Sequence, residues 1–458
     1  MGILIAVAII LMLLILSMPR ISFNEGYRIL ERGGSYHSLD AISSLEGNVK
    51  ADSAFLYAEK IGGYDMHYTV KRAFFSKEYT FHYEVVDTIP PVLTVKDDTV
   101  SVFVDMPYSY ENVLNNVSTN EGTLEYDTDL DNLFPGEYTV NVRAVDEAGN
   151  SSSVSYRVRV PDEEAPFVLD GGYGIEILRG SDFDIREYIS YGDNADPDPE
   201  LIVEGKVNPS KIGKYPLHLS LKDASGNETK WDTSIEVIRK RKEEEDDQEE
   251  EPVEFSDFRK DQAGQGRRFG VDVSEWQGDI DFAKLKDAGC DFIMMRIGFS
   301  RNGTLYLDKS FRANLAGAKS VGMPIGIYYY SNDKSEEEVR SVFRQIVSEL
   351  GDTQLELPVV FDWENFGDFQ EYGISFKDLD HLYQVFAQEA VKRGYEPMLY
   401  GSKYYLENIW RYREERNIWL AHYTDKSSYQ GNYRLWQVCA WGRIDGIEGN
   451  VDLDVLFY

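Results

Sequence analysis

Cysteine, histidine and basic residues are scarce in this chain. Its 458 residues include only two cysteines, Cys290 and Cys439, and six histidines. Two thiols cannot form a framework of disulfides or a cysteine-based metal cluster, and we expect both to be buried, with a single disulfide between them as the alternative. Lysine and arginine total 47 against 80 aspartates and glutamates, which gives a formal net charge of -33. Because phosphate binding needs a basic surface, the composition excludes nucleic acid as a partner.

Long apolar runs are also absent, except at the N-terminus. The first 18 residues, MGILIAVAIILMLLILSM, contain no charged side chain. This length is at the short limit of the roughly 17 to 25 residues that span a bilayer as a helix, and no A-x-A-like cleavage site follows. We therefore predict an N-terminal transmembrane helix over residues 1–20, acting as a signal anchor, with a cleaved signal peptide as the alternative.

Three segments of similar pattern recur at a period of roughly 75 residues. They begin at Gly62, Gly136 and Gly213. Each reads as two alternating strands joined by a turn, and the last two turns have the sequences DEAGN and DASGN. These turns resemble those of bacterial immunoglobulin-like modules, so we predict all-β sandwiches over residues 89–161 (second module) and 162–239 (third module). The turn of the first segment, KRAFFSK, departs from this pattern, and we predict a divergent β-sandwich over residues 21–88 (first module).

The acidic turns raise the question of a bound metal. Aspartate at the first position of a turn accepts hydrogen bonds from the backbone that follows, and this accounts for Asp146 and Asp223 without any ion. We therefore predict neither a metal site nor a cofactor.

Residues 240–267 are predicted to be a charged linker. The sequence RKRKEEEDDQEEE from Arg239 contains blocks of like charge that cannot bury enough apolar surface to fold alone. A charged linker of this kind implies few contacts between the domains it joins, so we expect the C-terminal domain, from about Phe269, to fold without the β modules.

Apolar strands and amphipathic helices alternate over residues 268–458. Eight strand-like segments indicate an irregular α/β barrel of TIM-like type. The connections around residues 423–435 and 441–451 are too short or too rich in glycine for full helices, so we expect fewer than eight helices.

Four acidic residues interrupt the apolar strands of this barrel. Asp362 and Glu364 lie two residues apart in PVVFDWENF and therefore point to one face. Asp272 ends the first strand and Asp452 lies in the last, and these two strands are neighbours in a closed barrel. Because barrel active sites lie at the C-terminal ends of strands, we expect the four carboxylates to converge. A pair of acids suits glycosidic cleavage, although strand-end carboxylates held by salt bridges are the alternative for the pair alone.

Polar and aromatic side chains at the predicted strand ends are candidates for sugar binding. Aromatic rings can stack on sugar faces, with core packing as the alternative, and a glutamine can donate to an acetamide. The candidates are Tyr328, Tyr330, Tyr400, Trp419, Tyr423, Trp436 and Gln437.

An ordered set of motifs resembles glycoside hydrolase family 25, the Chalaropsis-type lysozymes. The motifs are GVDVSEWQ, GIYYYS, VVFDWE, LYGS, WLAHY, LWQV and VDLDVLF. The resemblance implies a retaining β-1,4-N-acetylmuramidase that cuts peptidoglycan glycan strands between N-acetylmuramic acid and N-acetylglucosamine. It implies Glu364 as general acid, Asp362 as stabilising or nucleophilic carboxylate, Asp272 and Asp452 as supporting acids, and no metal. A covalent intermediate and attack by the acetamide of the substrate both fit the D-x-E pair.

Combined with the apolar N-terminus, this resemblance predicts a single-pass protein of the bacterial cell membrane. Its catalytic domain would lie on the extracellular, cell-wall side, or would be secreted if the apolar segment were cleaved. Two rival functions stay open: an inactive wall-binding scaffold and an N-acetylglucosaminidase.

Overall fold

The structure is a computed structural model that describes residues 2–102, 113–128, 133–240, 251–410 and 416–458. The chain divides into two compact units, Met1–Pro161 and Asp162–Tyr458. Among the described residues, the first unit contains two apolar cores and the second contains three, and each unit is described by itself.

The predicted transmembrane helix is not borne out. Helix α1 covers Gly2–Leu16, which is 15 residues, and at 1.5 Å per residue it is about 22 Å long, against the ~30 Å of a bilayer core. Within the described residues, no helix combines the length and the apolar character that a membrane span requires. The predictions of an N-terminal transmembrane helix and of a single-pass membrane location are therefore wrong.

The first module is built around a long hairpin. Strands β7 and β8 bury alternate residues, among them Met66, Tyr68 and Phe81, as expected of strands with one face on a core. They form a sheet in the order β2-β8-β7-β5, and β1–β4 and β3–β6 form two smaller pairs. The strands are β1 (Arg20–Phe23), β2 (Ile29–Glu31), β3 (Tyr36–His37), β4 (Ile42–Glu46), β5 (Asn48–Ala51), β6 (Phe55–Leu56), β7 (Gly62–Arg72) and β8 (Phe75–Val86), with 3-10 turns at Glu25–Tyr27 and Ser38–Ala41.

The second module contains a four-stranded sheet in the order β10-β14-β13-β12 and a pair β11–β9. The hairpin β13–β14 has the predicted turn, in which Asp146 Oδ1 accepts from the backbone N–H of Ala148 and Asn150. The strands are β9 (Leu93–Val95), β10 (Thr99–Ser101), β11 (Val117–Thr119), β12 (Thr123–Tyr126), β13 (Gly136–Val145) and β14 (Ser151–Val160).

The third module, in the second unit, repeats this topology. Its sheet has the order β16-β20-β19-β18, and β15 pairs with β17. In both modules the short second strand runs parallel to the last strand. The strands are β15 (Phe167–Asp170), β16 (Glu176–Leu178), β17 (Ser190–Gly192), β18 (Glu200–Gly205), β19 (Gly213–Lys222) and β20 (Glu228–Ile238), with a 3-10 turn at Ile185–Glu187.

The C-terminal domain is an eight-stranded barrel. The strand order is β22, β23, β25, β26, β27, β28, β29 and β30, and the barrel is closed because β30 pairs with both β29 and β22. The strands are β21 (Val253–Glu254), β22 (Arg267–Val273), β23 (Phe292–Arg301), β24 (Thr304–Leu307), β25 (Ile325–Tyr330), β26 (Val359–Asp362), β27 (Pro397–Ser402), β28 (Ile418–Ala421), β29 (Leu435–Arg443) and β30 (Val451–Phe457). The helices are α2 (Phe255–Asp261), α3 (Phe282–Asp287), α4 (Phe311–Ser320), α5 (Glu336–Leu350), α6 (Phe376–Lys392) and α7 (Lys403–Asn408), with 3-10 turns at Glu275–Gln277 and Phe369–Tyr372.

The prediction of a TIM-like barrel needs correction at its last strand. Seven barrel strands run parallel, but β30 is antiparallel to both of its neighbours. Residues 444–450 between β29 and β30 are too few for the crossover that a parallel connection requires, so the chain reverses in a hairpin. The connections after β28 and β29, which are fully described, contain no helix, as expected from their length.

The barrel begins earlier than its first motif suggests. Residues 241–250 of the predicted linker lie outside the described residues, but 253–261 form β21 and α2. Phe255 and Phe258 of α2 are buried in the core of the barrel. Because charged residues flank both rings in the sequence, composition alone assigned this stretch to the linker.

The third module packs against the barrel. Phe167 and Leu169 lie against the barrel core, and the backbone carbonyls of Asp193 and Asn194 accept from the first two N–H groups of α6. Gly192 permits this approach, because a Cβ there would lie 2.6 Å from the ring of Phe376. The expectation that the barrel makes few contacts with the β modules is therefore wrong for the third module.

Candidate active site

Strand register brings the predicted acids to one end of the barrel. Asp272, near the end of β22, is the pairing partner of Asp452 on β30. Asp362, the last residue of β26, is flanked by Tyr330 on β25 and Tyr400 on β27. Because β30 is antiparallel, its first residues lie beside the last residues of the parallel strands. One edge of the barrel thus carries acids from three strands.

Asp362 ends β26 and Glu364 follows two residues later, and their carboxyls share a hydrogen bond. Asp362 is only 4% exposed, and its Oδ1 has no hydrogen-bond partner among the described residues. Burial raises the pKa of Asp362 well above its usual range, and the charge of Glu364 raises it further. Burial also raises the pKa of Glu364, and the hydrogen bond with Asp362 opposes that rise. The pair therefore retains a proton at a pH where isolated carboxylates have lost theirs.

Gln437 connects the pocket to Asp272. Its Oε1 accepts from the hydroxyls of Tyr400 at 2.9 Å and Tyr423 at 3.0 Å, and its Nε2 donates to Asp272 Oδ2 at 2.9 Å. Two hydroxyl donors on one oxygen fix the orientation of the amide, so that its N–H faces the carboxylate. Burial raises the pKa of Asp272 well above its usual range, and the charge of Asp454 adds to this.

Asp454 is a member of the site that the sequence analysis missed. It accepts from Trp419 Nε1 at 2.8 Å and shares a hydrogen bond with Asp272. Burial, with the charges of Asp272 and Glu364, raises the pKa of the adjacent Asp452 to about 8. The signal was the D-x-D spacing of β30, which directs Asp452 and Asp454 to one face. We call these two residues, with Asp272, Asp362 and Glu364, the barrel acids.

A pocket of about 450 Å³ opens beside the barrel acids. The Glu364 carboxyl reaches solvent through this pocket, although the protein atoms around it still desolvate it enough to raise its pKa. The other four acids are not part of the pocket lining. The pocket is lined by Glu364, Tyr400, Ser402, Lys403, Tyr404, Glu407, Ala421, His422 and Tyr423.

Comparison with known families decides what this barrel is. Residues 271–447 match the model of glycosyl hydrolases family 25. The chain belongs to this family. Upstream, residues 91–163 match a bacterial Ig-like domain and residues 167–237 match the Ig-like domain of bacterial surface proteins, which confirms the resemblances found in the sequence.

Three similar proteins illustrate the extent of the match. An uncharacterized protein of Escherichia coli O6:H1, YegX, is 30% identical over 195 residues, which are 41% of this chain and 68% of that protein. The autolytic lysozyme of Clostridium acetobutylicum is 26% identical over 189 residues, or 40% of this chain and 54% of that enzyme. A family 25 glycosyl hydrolase from Bacillus anthracis has 21% identity and a TM-score of 0.35, and the alignment covers 42% of this chain and 89% of that structure.

Within this family 25 domain, the predicted aromatic residues fall into two groups. Tyr400 and Tyr423 line the pocket, and Tyr423 is 47% exposed. Trp419 and Trp436 are buried, and their indole N–H groups donate to Asp454 and to the carbonyl of His422. The second group therefore orients other site residues and has little surface to offer a sugar.

The two remaining tyrosines also have partners in the protein. The ring of Tyr328 packs edge-to-face against Trp419, with a centroid distance of 5.6 Å. The Tyr330 hydroxyl donates to Asn365 Oδ1 at 3.1 Å. Both residues lie one strand away from Asp362, on β25.

Two exposed rings near the family 25 site were not singled out from the sequence. Trp276 follows β22 and is 79% exposed, and Tyr404 of α7 lines the pocket with 47% exposure. Each lies beyond the C-terminal end of a barrel strand, and a helix or turn position carries no alternation from which exposure could be read.

Among the described residues, Arg296 and the two cysteines are not part of the hydrogen bonds that link the barrel acids. Arg296 pairs with the buried Asp308 and with Glu275, at 2.8 and 3.0 Å. Cys290 and Cys439 are both buried and free. Among the described residues, the spacing of metal ligands occurs at one place, in the third module, and not at the barrel acids.

Proposed function

We propose that this glycosidase is a retaining β-1,4-N-acetylmuramidase that cleaves peptidoglycan between N-acetylmuramic acid and N-acetylglucosamine. The observation that carries the proposal is the pair of Glu364 and Asp362. One carboxyl of this hydrogen-bonded pair reaches an open pocket and the other is buried behind it. The lysozyme among the relatives supports the choice of substrate.

Glu364 acts as general acid in this proposal. A general acid must be protonated near the working pH and must reach the leaving oxygen. Burial raises the pKa of Glu364, and its side chain lines the pocket. After departure of the leaving group, the same carboxylate takes a proton from the attacking water.

Asp362 orients the substrate acetamide and stabilises its developing positive charge. Carboxyl groups of retaining enzymes that use a covalent nucleophile lie about 5 to 5.5 Å apart, a separation that leaves no hydrogen bond between them. Asp362 is hydrogen-bonded to Glu364, so the two carboxyls lie closer together than this separation. We therefore favour attack by the acetamide oxygen over a covalent bond to Asp362.

Asp272, Asp452 and Asp454 support the pair without contacting the leaving group. Asp272 receives the N–H of Gln437, and Asp454 receives the N–H of Trp419, so both acids also fix the side chains around the pocket. The exposed rings of Tyr404 and Tyr423 are the proposed stacking surfaces for sugar faces, because a stacking ring needs a free face.

The test is to identify the sugar at the new reducing ends of digested peptidoglycan. The full chain is incubated with purified peptidoglycan, and the ends are reduced with borohydride before hydrolysis. Reduced muramic acid is the expected product. Reduced glucosamine would mean an N-acetylglucosaminidase, and no new ends would mean an inactive wall-binding scaffold.

A second substrate tests the role of the acetamide. Peptidoglycan with de-N-acetylated muramic acid lacks the acetamide oxygen, so cleavage at those residues should be lost while binding to the strand is retained. Normal cleavage there would favour a covalent bond to Asp362.

A further inference from the structure

The third module contains a cluster of three carboxylates drawn from distant parts of the chain. Asp162 opens the module, Asp193 follows β17 and Asp223 follows β19. One oxygen from each residue lies within 4.8 Å of the others, and Asp193 and Asp223 are buried. We call these three residues the module cluster.

Two buried oxygens at the module cluster have no partner among the described residues. They are Asp193 Oδ2 and Asn194 Oδ1. Asn194 is 4% exposed, and its Nδ2 donates to Asp162 Oδ1 at 3.1 Å, so its amide lies against the cluster. Unpaired buried oxygens cost free energy, and repulsion from Asp162 and Asp223 acts on Asp193 in addition. Burial and this repulsion raise the pKa of Asp193 to about 6.

The second module provides an internal comparison, because the two modules share their turn and boundary contacts. In the second module, the Asn150 side chain donates to the carbonyl of Asp87 at 2.9 Å. In the third, Asn227 donates to the carbonyl of Asp162 at 3.2 Å. Asp87 is therefore the counterpart of Asp162, and by the same alignment Asp146 is the counterpart of Asp223.

A cation of the protein itself neutralises the counterpart site. The guanidinium of Arg32 forms ion pairs with Asp87 and Glu121, and it is also attracted electrostatically by Asp146. At the module cluster, the groups that act most strongly on Asp193 are backbone N–H groups and two further carboxylates. At the same position in two related modules, a cation thus pairs with the acids in one, whereas no cation is among the strongest influences on Asp193 in the described part of the other.

We propose that the module cluster, with the side-chain carbonyl of Asn194, binds a divalent cation of the calcium type. Calcium takes oxygen ligands at 2.3 to 2.6 Å, so its ligands lie within about 5 Å of one another. Carboxylates and an amide oxygen are the ligands of a hard cation and not of a transition metal. The ion neutralises the carboxylates of the module cluster as Arg32 neutralises Asp87 and Glu121.

This ion stabilises the contact between the third module and the barrel. Asp193 and Asn194 use their side chains at the cluster and their backbone carbonyls at the first N–H groups of α6. The segment 363–375 leads from Asp362 to that helix, and Gln370 within it exchanges hydrogen bonds with the backbone of Tyr191 and Ile189. An ion that holds Asp193 and Asn194 in place therefore also holds the surface against which the segment 363–375 packs.

The test compares calcium binding by the full chain and by two matched variants. Each protein is made metal-free with a chelator, titrated with CaCl2 in a calorimeter, and melted with and without the ion. The parent is expected to bind one Ca²⁺ with a Kd of about 1 mM or lower, and its thermal midpoint should rise by several degrees. Asp193→Asn keeps the Oδ1 acceptor of the loop but removes the charge, so it should lose at least about tenfold in affinity and most of the shift.

The matched control is Asp87→Asn, which breaks the ion pair with Arg32 at the boundary between the first and second modules. It should bind calcium like the parent and should be less stable in both buffers. Asp193→Asn should instead be at least as stable as the parent in the metal-free buffer, because it removes a buried charge. If Asp193→Asn does not fold, Asp162→Asn, at a less buried position, serves in its place. The absence of a calcium-dependent shift in the parent would overturn the proposal. A shift that persists in Asp193→Asn or Asp162→Asn would also overturn it, since that would mean weak binding by other acids of this chain of net charge -33.

Discussion

Two groups of crowded acids in the second unit differ in what neutralises them. The barrel acids hydrogen-bond to one another and to neutral side-chain donors, such as the amide of Gln437 and the indole of Trp419. The carboxylates of the module cluster instead repel one another, and they accept from backbone N–H groups of the turns and from the amides of Asn194 and Asn227. At both groups, two buried oxygens have no hydrogen-bond partner among the described residues. Acids that share hydrogen bonds are suited to hold and transfer protons, whereas carboxylates that converge on one point and repel one another are suited to an ion.

The surroundings of the barrel acids and of the module cluster also differ. Glu364 opens into a pocket with exposed aromatic rings, where a neutral sugar chain can bind. The module cluster lies where the backbone of the third module contacts the barrel, and none of its residues lines the pocket. Raised pKa values occur at both places, so the pKa alone does not distinguish a catalytic acid from a ligand.

The largest expected effect is on catalysis, from Glu364→Gln. This change removes the general acid while nearly preserving its size, and general acid catalysis typically contributes about 100 to 10,000-fold. Cleavage of natural glycan, measured as reducing ends released per minute, should fall by that factor. Asp193→Asn is the control, and at 25 °C with calcium present it should retain the parent rate within about twofold. Near-normal activity of Glu364→Gln would contradict the assignment.

Asp362→Asn should differ from Glu364→Gln in its pattern. An activated leaving group needs little protonation, so such a substrate should partly rescue Glu364→Gln. Asp362 stabilises positive charge whatever the leaving group, and Asp362→Asn should lose a similar factor on both substrates. The measurement is kcat/KM on natural and activated substrates, and a reversed order of sensitivity would exchange the two roles.

How much of this contrast could be read from the sequence depends on how each group is assembled. Asp272, Asp362 and Asp452 lie on strands, where a period of two fixes the face, and their convergence was predictable. Glu364 lies two residues beyond the end of β26, where the same alternation was extended to it. Asp454 followed from the same rule and was overlooked. The antiparallel direction of β30 is decided by the seven residues 444–450, which do not appear in the pattern of the strand itself.

The module cluster could not be predicted in this way. Its residues come from a module boundary and two loops, about 30 positions apart from each other along the chain, and no local period relates them. Asp223 was correctly explained by its turn, since it accepts from the backbone and side chain of Asn227. Its second role depends on the tertiary fold. The docking of Gly192 on the barrel was hidden for the same reason.

Asp452→Asn tests whether protons stabilise the barrel acids. The pKa of Asp452 is about 8 in the folded protein and near 3.8 when unfolded, so its stabilising effect is complete below about pH 4 and is lost as the pH rises through 8. Asparagine stays neutral. The variant should therefore equal the parent at pH 4 and exceed it at pH 8.5 by about 2 kcal/mol, a figure reduced for partial solvent access. Denaturant unfolding at both pH values measures this, and a gain independent of pH would contradict the shift.

Gly192→Ala tests whether the two regions are mechanically joined. The added Cβ would lie 2.6 to 2.8 Å from the rings of Phe369 and Phe376, and overpacking of this kind costs about 1 to 3 kcal/mol. The second unit should lose that much stability in thermal or denaturant unfolding. Gly367→Ala, in the segment that contains Phe369, is the matched control, because nothing lies within 4 Å of its Cβ. Equal losses in the two variants would show that the contact with the module is not responsible.

The smallest expected effect is that of a chelator on turnover. EDTA should remove the proposed ion from the module cluster and lower the thermal midpoint, but the barrel acids use protons and substrate atoms, so kcat at 25 °C should change by less than about twofold. Activity should fail at a lower temperature in the chelator than in calcium, and the gap between the two inactivation temperatures should close in Asp193→Asn. A fall in kcat at 25 °C that calcium restores would show that the module cluster is required for catalysis by the barrel acids. The same fall in Asp193→Asn would instead place a required metal elsewhere in the chain.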